Sequence, residues 1–143
     1  MTDDEFLSRF ESCALEDFRH RDHVRIAWLY LRRYPYDRAV QAMEDGIRRF
    51  AIHHGALDKY HHTVTLLWMR LVAAAGPKAN GDFDAFLSRH PHLLDKDTPR
   101  RFYSADRLGS AEARAGWIDP DLSALPDVGR SKRTEGQFPR TKS

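Results

Sequence analysis

Three long stretches of the chain carry apolar side chains at intervals of three and four residues, and a helix-breaking residue follows each of them. This spacing predicts three amphipathic helices, at residues 19–33 or 22–33, 37–55 and 58–75. The breakers are Pro35, Gly55 and the pair Gly76 and Pro77. No segment alternates between apolar and polar residues over the length of a strand, so the sequence predicts an all-α fold without a sheet.

Shorter helical segments are predicted around the three long ones. Apolar spacing indicates a helix at residues 4–10, and start signals indicate others at 82–89 and after Thr98, Ser104 and Ser110. Asp37 and Asp58 are the predicted N-caps of the second and third long helices. Because 143 residues suit one hydrophobic core, we expect a compact helical bundle. Residues 1–126 form a single helical domain in this prediction, and residues 127–143 form a disordered, flexible basic tail.

The positive charge of the chain is concentrated at its C-terminal end. The formal net charge is +2, but residues 127–143 carry five basic and two acidic side chains, which leaves the rest of the chain at −1. A folded nucleic-acid-binding face needs basic residues clustered on the body of the protein. The distribution therefore does not favour nucleic acid as a partner, and the tail alone offers only a weak electrostatic tether.

Cysteine content and the N-terminal residues predict the compartment. Cys13 is the single cysteine, which excludes an internal disulfide and a cysteine-based zinc site. The N-terminus is acidic from Asp3 onward and lacks the basic and apolar segments of a secretory signal. The most apolar segments are well short of the roughly 20 residues needed to cross a bilayer. These features predict a cytoplasmic protein without a membrane partner.

Histidines on two of the predicted helices suggest a metal centre. His20 and His23 are three residues apart, so a helix places both imidazoles on one face. His61 lies on the predicted core side of the third long helix, and packing of the two helices would bring it to the same point. Three histidines with an open fourth position are typical of catalytic zinc, iron or nickel sites. His62 is an additional candidate for a metal ligand.

Asp22 and Tyr60 are the predicted catalytic residues of such a site. Each precedes a candidate ligand, where it could accept a proton, complete the coordination or orient a ligand. A divalent metal would lower the pKa of a bound water or polarise an oxygen of a small-molecule substrate. The first hypothesis is therefore a metal-binding helical protein that acts as an enzyme on a small molecule.

The same histidines also fit a protein without enzymatic activity. His20 and His23 fall at a helix start, where a neutral imidazole can bond a free backbone group or a nearby carboxylate. The alternative hypothesis is a non-enzymatic helical module for binding or dimerisation, in which the histidines are structural. A dimerisation module would form a homodimer. The sequence contains neither the glycine-rich loops of nucleotide sites, nor a serine-hydrolase elbow, nor a His-Glu-x-x-His zinc motif.

Basic and aromatic residues outside the histidine set add two further predictions. One basic segment either binds an anionic substrate or forms a solvated face. Its members are Arg100, Arg101, Tyr103 and Arg107. Three large aromatic side chains of the long helices are expected in the core rather than in a ligand-stacking box. They are Trp28, Tyr30 and Trp68.

The segments FRHRDHVRIAWLYLRR and KYHHTVTLLWMRLVA resemble the two signature helices of a widespread bacterial family of small all-helical proteins without an assigned function. The resemblance covers residues 10–117. In that family the second signature usually reads Tyr-His-Glu-Thr, whereas His62 stands at the glutamate position here. If that glutamate is a ligand or base in the relatives, this chain has replaced or lost it. The resemblance implies functional roles for His20, His23, His61 and Thr63 and names no substrate.

Overall fold

In the computed structural model, which describes residues 1–128, seven α-helices and three short 3-10 turns make up the regular structure, and these residues contain no strand. The helices are α1 (Asp3–Glu11), α2 (His20–Arg33), α3 (Tyr36–His53), α4 (His62–Ala74), α5 (Phe83–Arg89), α6 (Ala105–Leu108) and α7 (Ala111–Ala115). The 3-10 turns are Leu57–Lys59, Pro91–Leu94 and Thr98–Arg101. The all-α prediction is confirmed, and α2, α3 and α4 are the three long helices. Residues 129–143 of the predicted tail lie outside the described residues.

The central helix is α2, which contacts α1, α3 and α4. Its buried side chains are Val24, Ile26, Ala27, Trp28, Leu29, Tyr30 and Leu31. Trp28 and Tyr30 are each 2% exposed and Trp68 is 7% exposed, so the prediction that these rings lie in the core is confirmed. Burial of apolar surface is the main force that holds such a helix in place. It also holds the first turn of α2, which carries His20 and His23, against the core.

The N-cap predicted for the second long helix is wrong, whereas its end is predicted correctly. Pro35 occupies the N-cap position of α3, and Asp37 lies inside the first turn. A carboxylate there is still favourable because the N-terminal end of a helix carries partial positive charge. After the helix, Gly55 adopts a φ of +66°, the left-handed conformation that glycine accepts without a steric penalty.

The third long helix begins later than predicted. The turn Leu57–Lys59 occupies residues that the sequence pattern assigns to the first turn of this helix, and α4 itself starts at His62. Asp58 lies within the turn, so its predicted N-cap role is wrong. The N-cap is His61, whose Nδ1 accepts a hydrogen bond from the Val64 N–H over 3.2 Å. The chain is extended at Tyr60 and His61, which separates the turn from the helix.

Helix α1 packs against α2 and α3 through ion pairs and aromatic rings. The Arg25 guanidinium donates to the Asp3 carboxylate over 2.7 Å and lies 4.4 Å from the centre of the Phe6 ring. Phe10 is fully buried and approaches α3 at Gly46, where a Cβ atom would stand 2.5 Å from the ring. The close approach of the two helices therefore requires glycine at this position.

The segment after α7 is fixed to the bundle by two buried side chains. The Thr63 hydroxyl donates to the Gly116 carbonyl over 2.7 Å, and the Tyr103 hydroxyl donates to the Ile118 carbonyl over 2.6 Å. Tyr103 is fully buried, so it belongs to the core and not to a solvated basic face. Within residues 1–128, no helix has the length and apolar character needed to span a membrane.

Candidate functional site

A cavity of about 450 Å³ lies between the start of α2, one face of α4 and the segment that leads into α6. Its lining consists of His20, His23, Val64, Trp68, Lys96, Asp97, Pro99, Arg100 and Leu108. The first two residues are the pair that the sequence predicts to share one helix face. Because side chains from three separate parts of the chain meet here, the cavity is a product of the tertiary fold.

His23 is the most desolvated titratable group of the cavity wall. Its Nε2 is shielded from solvent and has no hydrogen-bond partner among the described residues. The ring packs edge-on against Phe18, with the ring centres 4.6 Å apart. Burial first, and the neighbouring His20 second, lower the pKa of His23 from its ordinary 6.5 to about 4. The imidazole is therefore neutral at physiological pH and retains an unused hydrogen-bonding atom.

His20 shares the cavity wall but is already hydrogen-bonded. Its Nε2 lies 2.8 Å from the Leu93 carbonyl oxygen, a contact that requires the ring to donate. The ring also packs on Trp68, with the ring centres 4.4 Å apart. Burial lowers the pKa of His20, and the positive charge of Lys96 lowers it further, while the bond to the Leu93 carbonyl opposes both. Because Nε2 is the donor of the neutral ring, Nδ1 is the nitrogen that can accept.

Two exposed cations stand at the edge of the cavity. Lys96 and Arg100 both line it, together with Asp97. Within residues 1–128, no salt bridge engages Lys96 or Arg100. Of the segment predicted to bind an anion or to form a solvated face, Arg100 alone belongs to this lining. Sequence reasoning did not single out Lys96 or Asp97, because nothing in their spacing links them to α2.

His61 has a different environment from the one predicted. Both of its ring nitrogens are occupied: Nδ1 caps α4, and Nε2 lies 2.6 Å from the Leu108 carbonyl oxygen. It is not among the residues that line the cavity, although Leu108 is. The bonds fix the ring as the neutral form that carries its proton on Nε2. The two hydrogen bonds of His61 therefore connect the start of α4 to the end of α6.

His62 and Tyr60 form a separate cluster with α3. The Tyr60 hydroxyl lies 3.0 Å from His62 Nδ1, and Nε2 of His62 lies 3.4 Å from the Glu44 carboxylate. Arg48 stacks over the Tyr60 ring at 4.6 Å. Burial raises the pKa of Tyr60, and the Glu44 charge raises it further. Neither of the two predicted site residues lines the cavity.

The Asp22 side chain is hydrogen-bonded to the backbone at the start of α2. Its carboxylate accepts a hydrogen bond from the Arg19 N–H over 3.0 Å, the reciprocal half of a helix-capping arrangement. It does not line the cavity. The sequence places Asp22 beside His23, but the helix directs the two side chains to different faces.

The predicted metal ligands are not gathered into one site. Among residues 1–128, no group of three or more His, Cys, Asp or Glu side chains has the arrangement needed to hold a metal ion. His20 and His23 share the cavity, His61 bonds to Leu108, and His62 faces Glu44. A three-histidine site would therefore require one of the two hydrogen bonds of His61 to be broken, whereas His20 could bind through Nδ1 and keep its bond to Leu93.

The chain matches no protein-family model, no curated protein and no solved structure. The resemblance to a bacterial helical family accordingly stays a prediction. One residue that the resemblance marks as functional has a clear structural contact: buried Thr63 bonds to the Gly116 carbonyl and accepts from the Ile118 N–H.

Proposed function

We propose that the protein binds a small organic molecule in the cavity between α2, α4 and the segment that leads into α6. The observation that carries this proposal is a mostly apolar cavity lined by His23, whose solvent-shielded Nε2 has no hydrogen-bond partner among the described residues. Buried polar atoms in folded proteins are nearly always hydrogen-bonded, so an exception at a cavity indicates a place for a ligand.

The energetics support a ligand that hydrogen-bonds to His23. A buried polar group without a partner costs about 1–3 kcal/mol, and a ligand that bonds to it would recover much of that cost. The volume of about 450 Å³ falls within the roughly 300–1,000 Å³ of typical small-molecule sites. Trp68, Val64 and Leu108 would cover the apolar part of the molecule.

Binding rather than catalysis is the activity that these contacts support best. The neutral His23 can accept or donate a hydrogen bond, but no acid or nucleophile is hydrogen-bonded to it among the described residues. The two predicted catalytic side chains, Asp22 and Tyr60, are engaged at the α2 cap and with His62. We therefore propose the binding module of the alternative hypothesis, with a small-molecule ligand.

A fragment screen followed by proton–nitrogen correlation NMR tests this proposal. We expect fragments to shift the amide signals of His23, Trp68 and Arg100. Val64→Trp, which fills the cavity, should abolish those shifts, and Leu108→Phe provides a second filling variant if the first does not fold. Ala73→Phe fills a separate groove beside Tyr34 and is the matched control. Shifts that persist in both filling variants, or no shifts at all, would overturn the proposal.

A transition metal held by His20, His23 and His61 is the second candidate. The observation that favours it is again the free Nε2 of His23, three residues from His20 on one helix. The environment of His61 argues against it, because both nitrogens of that ring are already hydrogen-bonded. Zinc, iron or nickel bound at this site would have to displace one of the two bonds of His61, whereas His20 could bind the metal through Nδ1 and keep its contact with Leu93.

Elemental analysis of the untagged protein separates the two candidates. Near-stoichiometric metal in the native chain, absent from the variant with His23 and His61 both changed to alanine, would support the metal site. A His62→Ala variant is the control, because His62 faces Glu44 instead of the cavity. Metal-free protein that also resists reconstitution with zinc, iron, nickel and copper would eliminate this candidate and leave small-molecule binding.

Location and oligomeric state are additional proposals that rest on the sequence. We propose a cytoplasmic protein, in keeping with the single free cysteine, Cys13. We also propose that the protein forms a homodimer, as the alternative hypothesis of a dimerisation module implies. Light scattering after size exclusion measures the mass directly, and a mass of one chain across a concentration series would eliminate the dimer.

A further inference from the structure

We propose that the ligand of the His20–His23 cavity is a small organic acid: an apolar or aromatic body that packs against Trp68, with a carboxylate held by Lys96 and Arg100. This inference rests on the function proposed above and specifies the chemical class of the ligand. It depends on three features of the cavity, which are its charge, its apolar wall and the neutrality of its histidines.

The charged groups of the cavity favour an anion. Lys96 and Arg100 carry positive charge, and Asp97 is the one acidic side chain in the lining. No salt bridge within residues 1–128 neutralises either cation. The charge of Lys96 reaches His20 and helps to lower the pKa of that ring, while the neighbouring Asp95 acts in the opposite direction. An arginine and a lysine at one mouth are typical of carboxylate and phosphate recognition.

The apolar wall distinguishes an organic acid from an inorganic anion. Trp68 and Pro99 are buried parts of the wall, and Val64 and Leu108 complete its apolar surface. A phosphate or sulfate ion would lose hydration in such a cavity and gain no contact with this wall. An acid with a ring or branched chain gains both the burial of apolar surface and contact with the indole of Trp68.

The two histidines add hydrogen bonds without adding charge. Burial keeps His23 neutral, and His20 is held neutral by burial and by Lys96. The unused atoms are Nε2 of His23 and the accepting Nδ1 of His20. Selectivity for an acid therefore depends on Lys96 and Arg100, and those are the residues that a test must change.

A second cavity of comparable size also has two cations without a salt bridge within residues 1–128, Arg38 and Arg49, but none of its lining residues has a buried polar atom without a partner. It measures about 490 Å³ and lies between α1, α2 and α3. Its central groups already satisfy one another, because the Tyr30 hydroxyl donates to the Glu11 carboxylate over 2.6 Å and Gln41 donates to Asp45. The free hydrogen-bonding atom and the unpaired cations occur together at the His20–His23 cavity.

The test compares an acid with its uncharged counterpart on the full chain. Phenylacetate and phenylacetamide have nearly the same shape, so the ratio of their dissociation constants measures preference for the carboxylate. We expect the native protein to prefer the acid by about tenfold, a ratio that decreases as salt is added. The double variant Lys96→Gln and Arg100→Gln should bind both compounds equally. Without the two cations, the acid and the amide keep only the same contacts with the apolar wall.

A matched control changes the same charge elsewhere. The double variant Lys78→Gln and Arg101→Gln removes two cations that do not line this cavity, and it should retain the preference for the acid. Circular dichroism melts establish that each variant is folded. Inorganic phosphate serves as the probe for simple anion attraction, and it should bind more weakly than phenylacetate.

The outcomes separate this inference from the proposed function. Equal binding of acid and amide by the native protein, within the cavity, would overturn the organic-acid inference and leave small-molecule binding intact. A preference that survives in the Lys96 and Arg100 variant would also overturn it. Phosphate that competes as strongly as phenylacetate would show that the apolar wall contributes nothing to affinity, and it would also overturn the organic-acid inference. Failure of every compound to bind in the cavity would overturn both proposals.

Discussion

The imidazole of His61 joins two segments that are 47 residues apart, because its Nε2 donates to the Leu108 carbonyl over 2.6 Å. The other nitrogen of the same ring accepts from the Val64 N–H and caps α4. One neutral side chain thus satisfies a free amide at a helix start and a carbonyl at the end of α6. A histidine predicted as a metal ligand from its spacing is fully occupied by backbone groups.

Replacement of His61 should therefore lower stability. His61→Ala removes the cap and leaves the Leu108 carbonyl without its donor, and we expect a loss of about 1–3 kcal/mol in the free energy of unfolding. His61→Asn keeps a side-chain oxygen that can cap the helix, so it should lose less. Urea denaturation of the two variants measures the difference. Equal stability of His61→Ala and the native chain would contradict the structural role.

Thr63 should behave as a structural residue in spite of its place in the signature. Thr63→Val keeps the shape but removes the hydroxyl that bonds to Gly116 and Ile118. Two backbone groups then lose their partner, and we expect a loss of about 1–3 kcal/mol of stability. Thr63→Ser retains the hydroxyl and serves as the control. The prediction fails if valine and serine give the same urea midpoint, or if valine gives the higher one.

Gly46 should resist a substitution that ordinarily stabilises helices. In a helix interior alanine is better than glycine by up to about 1 kcal/mol. Here the added Cβ would stand 2.5 Å from the Phe10 ring, so we expect Gly46→Ala to lose about 1–3 kcal/mol through overpacking. Adding Phe10→Leu should recover part of that loss in a double-mutant cycle. Additive effects of the two substitutions would show that the contact is unimportant.

The low pKa of His23 makes stability depend on pH. Unfolded His23 titrates near 6.5 and folded His23 near 4, so between these values the unfolded chain binds the extra proton. Stability is therefore complete above pH 6.5 and decreases as the pH falls towards 4, by at most about 1.4 kcal/mol per pH unit. The lowered pKa of His20 acts in the same direction.

Urea midpoints measured from pH 7 to pH 4 for the native chain and for His23→Leu test this dependence. The variant should retain its stability at neutral pH, since it removes a buried polar atom that has no partner. It should also lose less stability than the native chain as the pH is lowered. Parallel pH profiles for the two proteins would contradict the assigned cause.

Local sequence signals predicted those parts of the fold that depend on neighbouring residues. Ser104 and Ser110 cap α6 and α7, and Gly55 and Gly76 take positive φ values after their helices. Each of these roles involves backbone groups within a few residues, so the residue type carries the information. The error at α4 has the same origin, because Asp58 is as good a local cap as His61 and the apolar spacing continues through both.

The sequence by itself determined the all-α class, the three long helices and the pairing of His20 with His23 on one face, because helical periodicity is local. Only the tertiary structure decided that Lys96 and Arg100 join that pair at a cavity, that His61 bonds to Leu108 and that His62 faces Glu44. These contacts join residues far apart in sequence. They depend on how the helices pack and where each turn ends, and a one-residue change in a helix start rotates every later side chain by about 100°.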